Sequence, residues 1–120
     1  MPDAAAAPAP TITYNDFRKV DIRVGTIVAV EEFPQARKPA YRLQVDFGPG
    51  IGVRRSSAQL VANYDRAALL GRQVAAVVNF PPKQIGTFMS DVLVLGFPDA
   101  AGEVSLVVPD APVPNGGRLY

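Results

Sequence analysis

Asn79, Lys83 and Ser90 fall close together in the segment Val77 to Leu95, which also holds Phe80, Pro81, Pro82, Ile85, Phe88 and Met89. An amide, an ammonium and a hydroxyl supply hydrogen bonds and positive charge, while the rings, prolines and aliphatic chains supply apolar contact and stacking surfaces. None of these groups exchanges a proton readily at neutral pH. The chemistry this segment offers is recognition, of an apolar peptide segment or of a polyanion with flat bases.

The rest of the chain adds nothing that turns recognition into catalysis. There is no cysteine and no histidine, which removes disulfides, thiolate nucleophiles, imidazole bases and nearly all zinc and copper sites. Asp21, Asp46 and Asp91 are too separated to read as a carboxylate pair. No enzymatic activity, cofactor or metal is expected.

Charge is uneven although the net charge is only +1. Between Arg37 and Arg72, seven basic residues face the two acids Asp46 and Asp65, whereas from Asp91 onward four acids face Arg118 alone. Clustered positive charge inside a near-neutral chain points to a local anionic partner.

Positioning these groups requires a frame, and the hydrophobic pattern predicts an all-β one. Tyr14 to Val20 reads as a short helical turn capped by Asn15 or Asp16, with Phe17 and Val20 plugging one end of the core. Asp21 to Phe33 alternates with period two over an unusually long run, the first strand, and Gly25 within it marks a bend or a close backbone approach. After a proline-bracketed loop, Tyr41, Leu43, Val45 and Phe47 face inward on a second strand, and Gly48-Pro49-Gly50 turns into a third, Ile51 to Arg55. Ser56 or Ser57 is expected to cap a helix from Ala58 to Tyr64, with another turn from Asp65 to Leu70 closed by Gly71. Strands four and five are expected at Arg72 to Phe80 and Asp91 to Phe97, with a further short strand at Glu103 to Val108.

Three strands, a helix and two more strands is the order of a five-stranded OB-fold barrel, here with N- and C-terminal extensions. An SH3-like or other small barrel remains compatible with the strand order. With 120 residues and 48% apolar content, one domain spanning 13–120 is expected behind an Ala/Pro-rich, disordered leader of residues 1–12. The leader lacks a basic n-region, and no apolar run approaches the ~18 residues of a membrane span, so a soluble, cytoplasmic protein without membrane insertion is expected.

On such a barrel, the loops between strands one and two and between strands four and five flank the binding face. Arg37 and Lys38 lie in the first, and Lys83, Phe80 and Phe88 in the second. The candidate RNA-binding residues are therefore Arg37, Lys38, Arg42, Arg54, Arg55 and Lys83, with strand alternation sending Arg54 and Arg55 to opposite faces. The candidate peptide-binding residues are Asn79, Phe80, Pro81, Ile85, Phe88, Met89 and Ser90, with main-chain bonds from a strand edge adding sequence tolerance.

Five segments resemble the tRNA-binding domain family, an OB-fold family, and in particular its export-associated, CsaA-type chaperone branch. They are Asp16-Phe17 through Asp21-Ile22-Arg23-Val24-Gly25-Thr26-Ile27-Val28, Val45-Asp46-Phe47-Gly48, Ser56-Ser57-Ala58-Gln59, Val78-Asn79-Phe80-Pro81-Pro82-Lys83, and Val113-Pro114-Asn115-Gly116. The resemblance implies a non-catalytic homodimer that binds unfolded or precursor polypeptides and assists protein export, in contact with export machinery. The wider family implies tRNA as the partner instead, and a dimerisation or scaffold module is the third reading. Asp91-Val92 departs from the wider family's pattern after Ser90. An acid there opposes phosphate and favours peptide over tRNA.

Overall fold

The computed structural model describes residues 7–120; the part of the leader expectation that concerns residues 1–6 lies outside the described residues. Helix α1 spans Tyr14–Arg18 and starts in a capping box. The Thr13 hydroxyl accepts from the Asp16 N–H at 3.1 Å, and the Asp16 carboxylate accepts from the Thr13 N–H at 3.0 Å. Thr13, rather than Asn15 or Asp16, is the cap because its hydroxyl and the acid three residues on satisfy two otherwise orphaned donors reciprocally. The helix buries no residue and does not plug the core: Phe17 is half-buried and Val20 exposed.

Strand β1, Ile22–Glu32, is the long first strand. It runs antiparallel to β2, Tyr41–Asp46, and to β4, Gln73–Val77. Pairing with β2 steps from Ile27↔Val45 to Ala29↔Gln44, leaving Val28 as an unpaired, exposed bulge residue that turns the strand's inward face over. At Gly25 a Cβ would fall 2.7 Å from Val45 Cγ1 and 2.8 Å from Phe47 Cδ1, the close approach its position in the strand predicts. On β2, Tyr41, Leu43 and Val45 are buried, and Phe47 follows them into the core. They join Ile27, Leu60, Leu69 and Val74 in one continuous cluster. Each such side chain contributes about 1.5–3 kcal/mol relative to exposure.

Strand β3, Val53–Ala58, forms the expected hairpin with β2 but runs further, pairing Ala58 with Tyr41. Ser56 and Ser57 are therefore strand residues and not helix caps, and Ser56 is fully buried. The short helix between strands three and four is α2, Arg66–Leu69, whose N-cap Asp65 accepts from the Ala68 N–H at 2.7 Å. Leu69 anchors it in the core, and Gly71 closes it at φ +85°.

The expected loop after strand four is instead a hairpin, β5 Lys83–Ile85 and β6 Phe88–Ser90, turned by Gly86 at φ +60°. The expected fifth strand is divided into β7, Leu93–Val94, beside β4, and β8, Gly96–Pro98, beside β9, Val104–Leu106. The switch falls at Leu95, whose N–H bonds Ala75 and whose carbonyl receives Val107. The main sheet has the order β3-β2-β1-β4-β7. It curls until the N–H groups of Asp91 and Val92 meet the Arg55 carbonyl, at 2.8 and 3.3 Å. The result is the nearly closed five-stranded OB barrel.

The C-terminal extension completes β1. The edge of β1 that β2 leaves open at its start is taken by residues 116–119, through Gly116 N–H to Val24 O, Val24 N–H to Gly117 O and Leu119 N–H to Ile22 O. The Asn115 side-chain oxygen accepts from Thr26 Oγ1 at 2.9 Å and Gln73 Nε2 at 3.0 Å, while Gln73 also bonds both backbone groups of Val113. Gly116 sits at φ +90°, with its α-carbon so close to Phe47 O that a Cβ would lie 2.6 Å from it. Asp21 ties the ends together, bonded by Arg23 Nε at 2.6 Å and approached by Arg118 Nε at 3.5 Å. The Arg23 hydrogen bond, reinforced by the charges of Arg23, Arg118 and Arg18, holds the Asp21 carboxyl below the usual aspartate range.

Candidate functional site

Two adjoining concavities open beside the β5–β6 hairpin. The larger, about 600 Å³, has an apolar wall formed by Leu60, Phe80, Pro81, Ile85, Val92 and Val94. Its polar atoms come from residues such as Ser57, Lys83, Ser90 and Asp91. Phe80 follows β4 on irregular chain and is 52% exposed; an aromatic ring left half in water on a groove wall is a contact surface without an internal partner.

The second concavity, about 450 Å³, shares Ser57, Gln59, Lys83 and Ile85 with the first and adds Arg37 and Lys38 from the loop after β1. Arg37, Lys38 and Lys83 are exposed and form no ion pair among the described residues. The two loops thus deliver three uncompensated cations to one rim, next to the apolar groove.

Of the remaining candidate residues, Ser90 lines the larger concavity and the others line neither. Phe88 packs the hairpin down instead: its ring meets Phe33 edge-on at 5.3 Å, with the Arg55 guanidinium 5.4 Å over it. Arg42 stacks on Phe33 at 5.6 Å and pairs with Glu31 at 3.1 Å. Arg54 is exposed and donates to Ile51 O. Met89 is half-buried opposite Gln84 in the hairpin and lines neither concavity. Asn79 spends both ends of its amide on the fold, accepting from the Asp21 N–H at 3.0 Å and donating to Lys19 O at 2.7 Å.

Ser90 and Asp91 do the same at the barrel seam. Ser90 Oγ accepts from the Ser57 N–H at 3.0 Å, and Asp91 Oδ2 accepts from the Arg55 N–H at 3.2 Å. These side chains occupy donors that a strand added at this edge of β3 would need. Asp91 also lies 3.6 Å from Arg55 Nε, so its negative charge is met within the fold and bears less on an approaching phosphate than its place in the sequence suggests.

Leu60, Val92, Val94, Gln59 and Phe33 were not singled out by residue type. Val92 and Val94 alternate into the groove just after Asp91, a signal present in the pattern. Leu60 and Gln59 follow the end of β3, where a helix was expected, and the true path of the chain there is set by tertiary pairing.

A family model described as "Putative tRNA binding domain" matches residues 22–118. Among solved structures, the CsaA chaperone protein of Picrophilus torridus is 50% identical with a TM-score of 0.85, covering 92% of this chain and all of that one. The chaperone CsaA of Bacillus anthracis is 45% identical with a TM-score of 0.86 over the same shares. A methionine–tRNA ligase of Porphyromonas gingivalis is 34% identical over 96% of this chain, which spans only 16% of that enzyme. From β1 through the C-terminal clamp, this chain belongs to the tRNA-binding domain family, in the OB-barrel form that its CsaA neighbours share.

Proposed function

We propose that this protein is a homodimeric, non-catalytic chaperone-like protein that holds apolar segments of unfolded or precursor polypeptides in the groove beside the β5–β6 hairpin, in the cytoplasm, and so assists protein export. The observation that carries this reading is the apolar groove of about 600 Å³ with Phe80 half-exposed on its wall. The likeness to two chaperones at 45–50% identity supports it. Because β3 is sealed by Ser90 and Asp91, client side chains in the groove, and not strand addition at that edge, carry the binding. Fluorescence anisotropy with labelled unfolded peptides tests this: Phe80→Ala weakens binding across the panel, and unchanged affinities would remove the groove from the reading.

Dimerisation is supported by a second apolar surface on the barrel. An apolar cleft of about 350 Å³ there is lined by Ile22, Val24, Val107 and Leu119, and Val108, Val113, Leu119 and Tyr120 leave much of their surface in water. Sedimentation equilibrium is expected to return twice the 12.8 kDa chain mass; a monomer at micromolar concentration would refute the dimer.

The family match and the rim of Arg37, Lys38 and Lys83 favour a second activity, tRNA binding. Contacts from these cations to phosphate make affinity fall steeply with salt. A tRNA titration at two salt concentrations that shows no binding at low salt, or none that salt weakens, would refute it.

A further inference from the structure

Away from the groove, Glu31, Arg42, Leu43, Gln44, Arg55 and Phe88 enclose a separate cleft of about 200 Å³. Its walls are flat. The Arg55 guanidinium lies over the Phe88 ring at 5.4 Å, and Arg42 is held at 5.6 Å over Phe33, a buried ring outside the cleft that meets Phe88 edge to face. Rings and guanidinium planes of this kind are the surfaces on which unpaired bases stack.

The cleft also carries groups suited to reading the edge of a planar ligand. Glu31 gives Oε2 to Arg42 Nη2 at 3.1 Å, and its Oε1 has no hydrogen-bond partner among the described residues. Gln44 is exposed with its amide uncommitted among the same residues. The volume suits one heteroaromatic ring system and is too small for an extended chain.

We infer that this cleft receives a single unpaired nucleobase of a bound RNA, with guanine preferred. The inference rests on the RNA-binding reading and adds a base-reading site to its phosphate rim. Guanine alone presents two adjacent N–H donors, N1–H and N2–H, on its Watson–Crick edge, and one carboxylate accepts both; adenine and cytosine place an acceptor there, and uracil a single donor flanked by carbonyls. A tryptophan side chain would fill the same space but offers only one N–H.

The test compares uridine hexamers carrying one central guanosine, inosine or adenosine, by anisotropy, against the parent protein and Glu31→Gln. The guanosine hexamer is expected to bind the parent about tenfold more tightly than the adenosine hexamer, with inosine, which lacks the N2 amine, between them. Glu31→Gln, at an exposed position and with its melting curve checked, brings that ratio close to one. Salt-dependent binding of all hexamers without a base preference, or a preference that survives Glu31→Gln, overturns the site while leaving RNA binding intact. If neither hexamers nor tRNA bind, the RNA-binding reading fails and takes this inference with it. Loss of peptide binding in Glu31→Gln without any base preference would assign the cleft to client side chains and also overturn it.

Discussion

Two regions of this barrel use polar residues in opposite ways. At the C-terminal clamp, Asp21, Arg23, Thr26, Gln73 and Asn115 are all joined to one another or to backbone. Around the β5–β6 hairpin, Arg37, Lys38 and Lys83 stand exposed without ion-pair partners among the described residues, and Phe80 stands half in water. Satisfied groups fix a conformation, whereas exposed and uncommitted ones have interaction energy left for a ligand. Stability and recognition are therefore separable by mutation.

The sharpest break is expected at the clamp. Gly116→Ala puts a methyl group 2.6 Å from Phe47 O at a φ of +90°, and neither the backbone carbonyl nor the positive φ yields easily. We expect a loss of about 2–4 kcal/mol in urea unfolding, with the folded fraction still binding peptide as before. Phe80→Ala is the converse: about a tenfold loss of peptide affinity with little change in the unfolding midpoint, since half of its ring is already solvated. If Phe80→Ala lowered the midpoint as much as Gly116→Ala does, the two regions would not be functionally distinct. Lys83→Ala is expected to act more finely, lowering the slope of log affinity for tRNA against log salt by about one and leaving unfolding unchanged.

The smallest effect is one of pH. The folded carboxyl of Asp21 titrates below its unfolded value of about 3.9 because Arg23 bonds the ionised form. Its contribution to stability is present in full above the unfolded pKa and is lost as pH falls through the folded one. The stability gap between the parent and Asp21→Asn is therefore flat above about pH 5 and closes toward acid; a gap that widened on acidification would contradict the assignment.

Much of this contrast was legible in the sequence where local chemistry and tertiary structure agree. The strict alternation of Tyr41, Leu43, Val45 and Phe47 specified the inward face of β2, and Gly25 announced its close approach to the same residues. That Phe80, Lys83, Arg37 and Lys38 would come near one another was legible because the loops of such a barrel have predictable neighbours, and they do line two adjoining concavities. What escaped was set by pairing across the fold. Ser56 and Ser57 have the chemistry of helix caps, yet ladder bonds with Arg42 and Leu43 keep them in a strand. Phe80 and Phe88 are the same residue type in the same segment, but Phe88 meets Phe33 and Arg55 in the hairpin's packing while Phe80 is left at the groove. Asp91 looked like a charge directed at the ligand until Arg55 stood beside it.

The seam closed by Ser90 and Asp91 also bears on the protein's behaviour at high concentration. A chaperone that gathers partly unfolded chains works among exposed β-segments seeking an edge on which to polymerise, and an open β3 would offer itself as a template. Because two short side chains already occupy its Arg55 and Ser57 donors, this edge of β3 is closed to such pairing, a property that the proposed chaperone role would require.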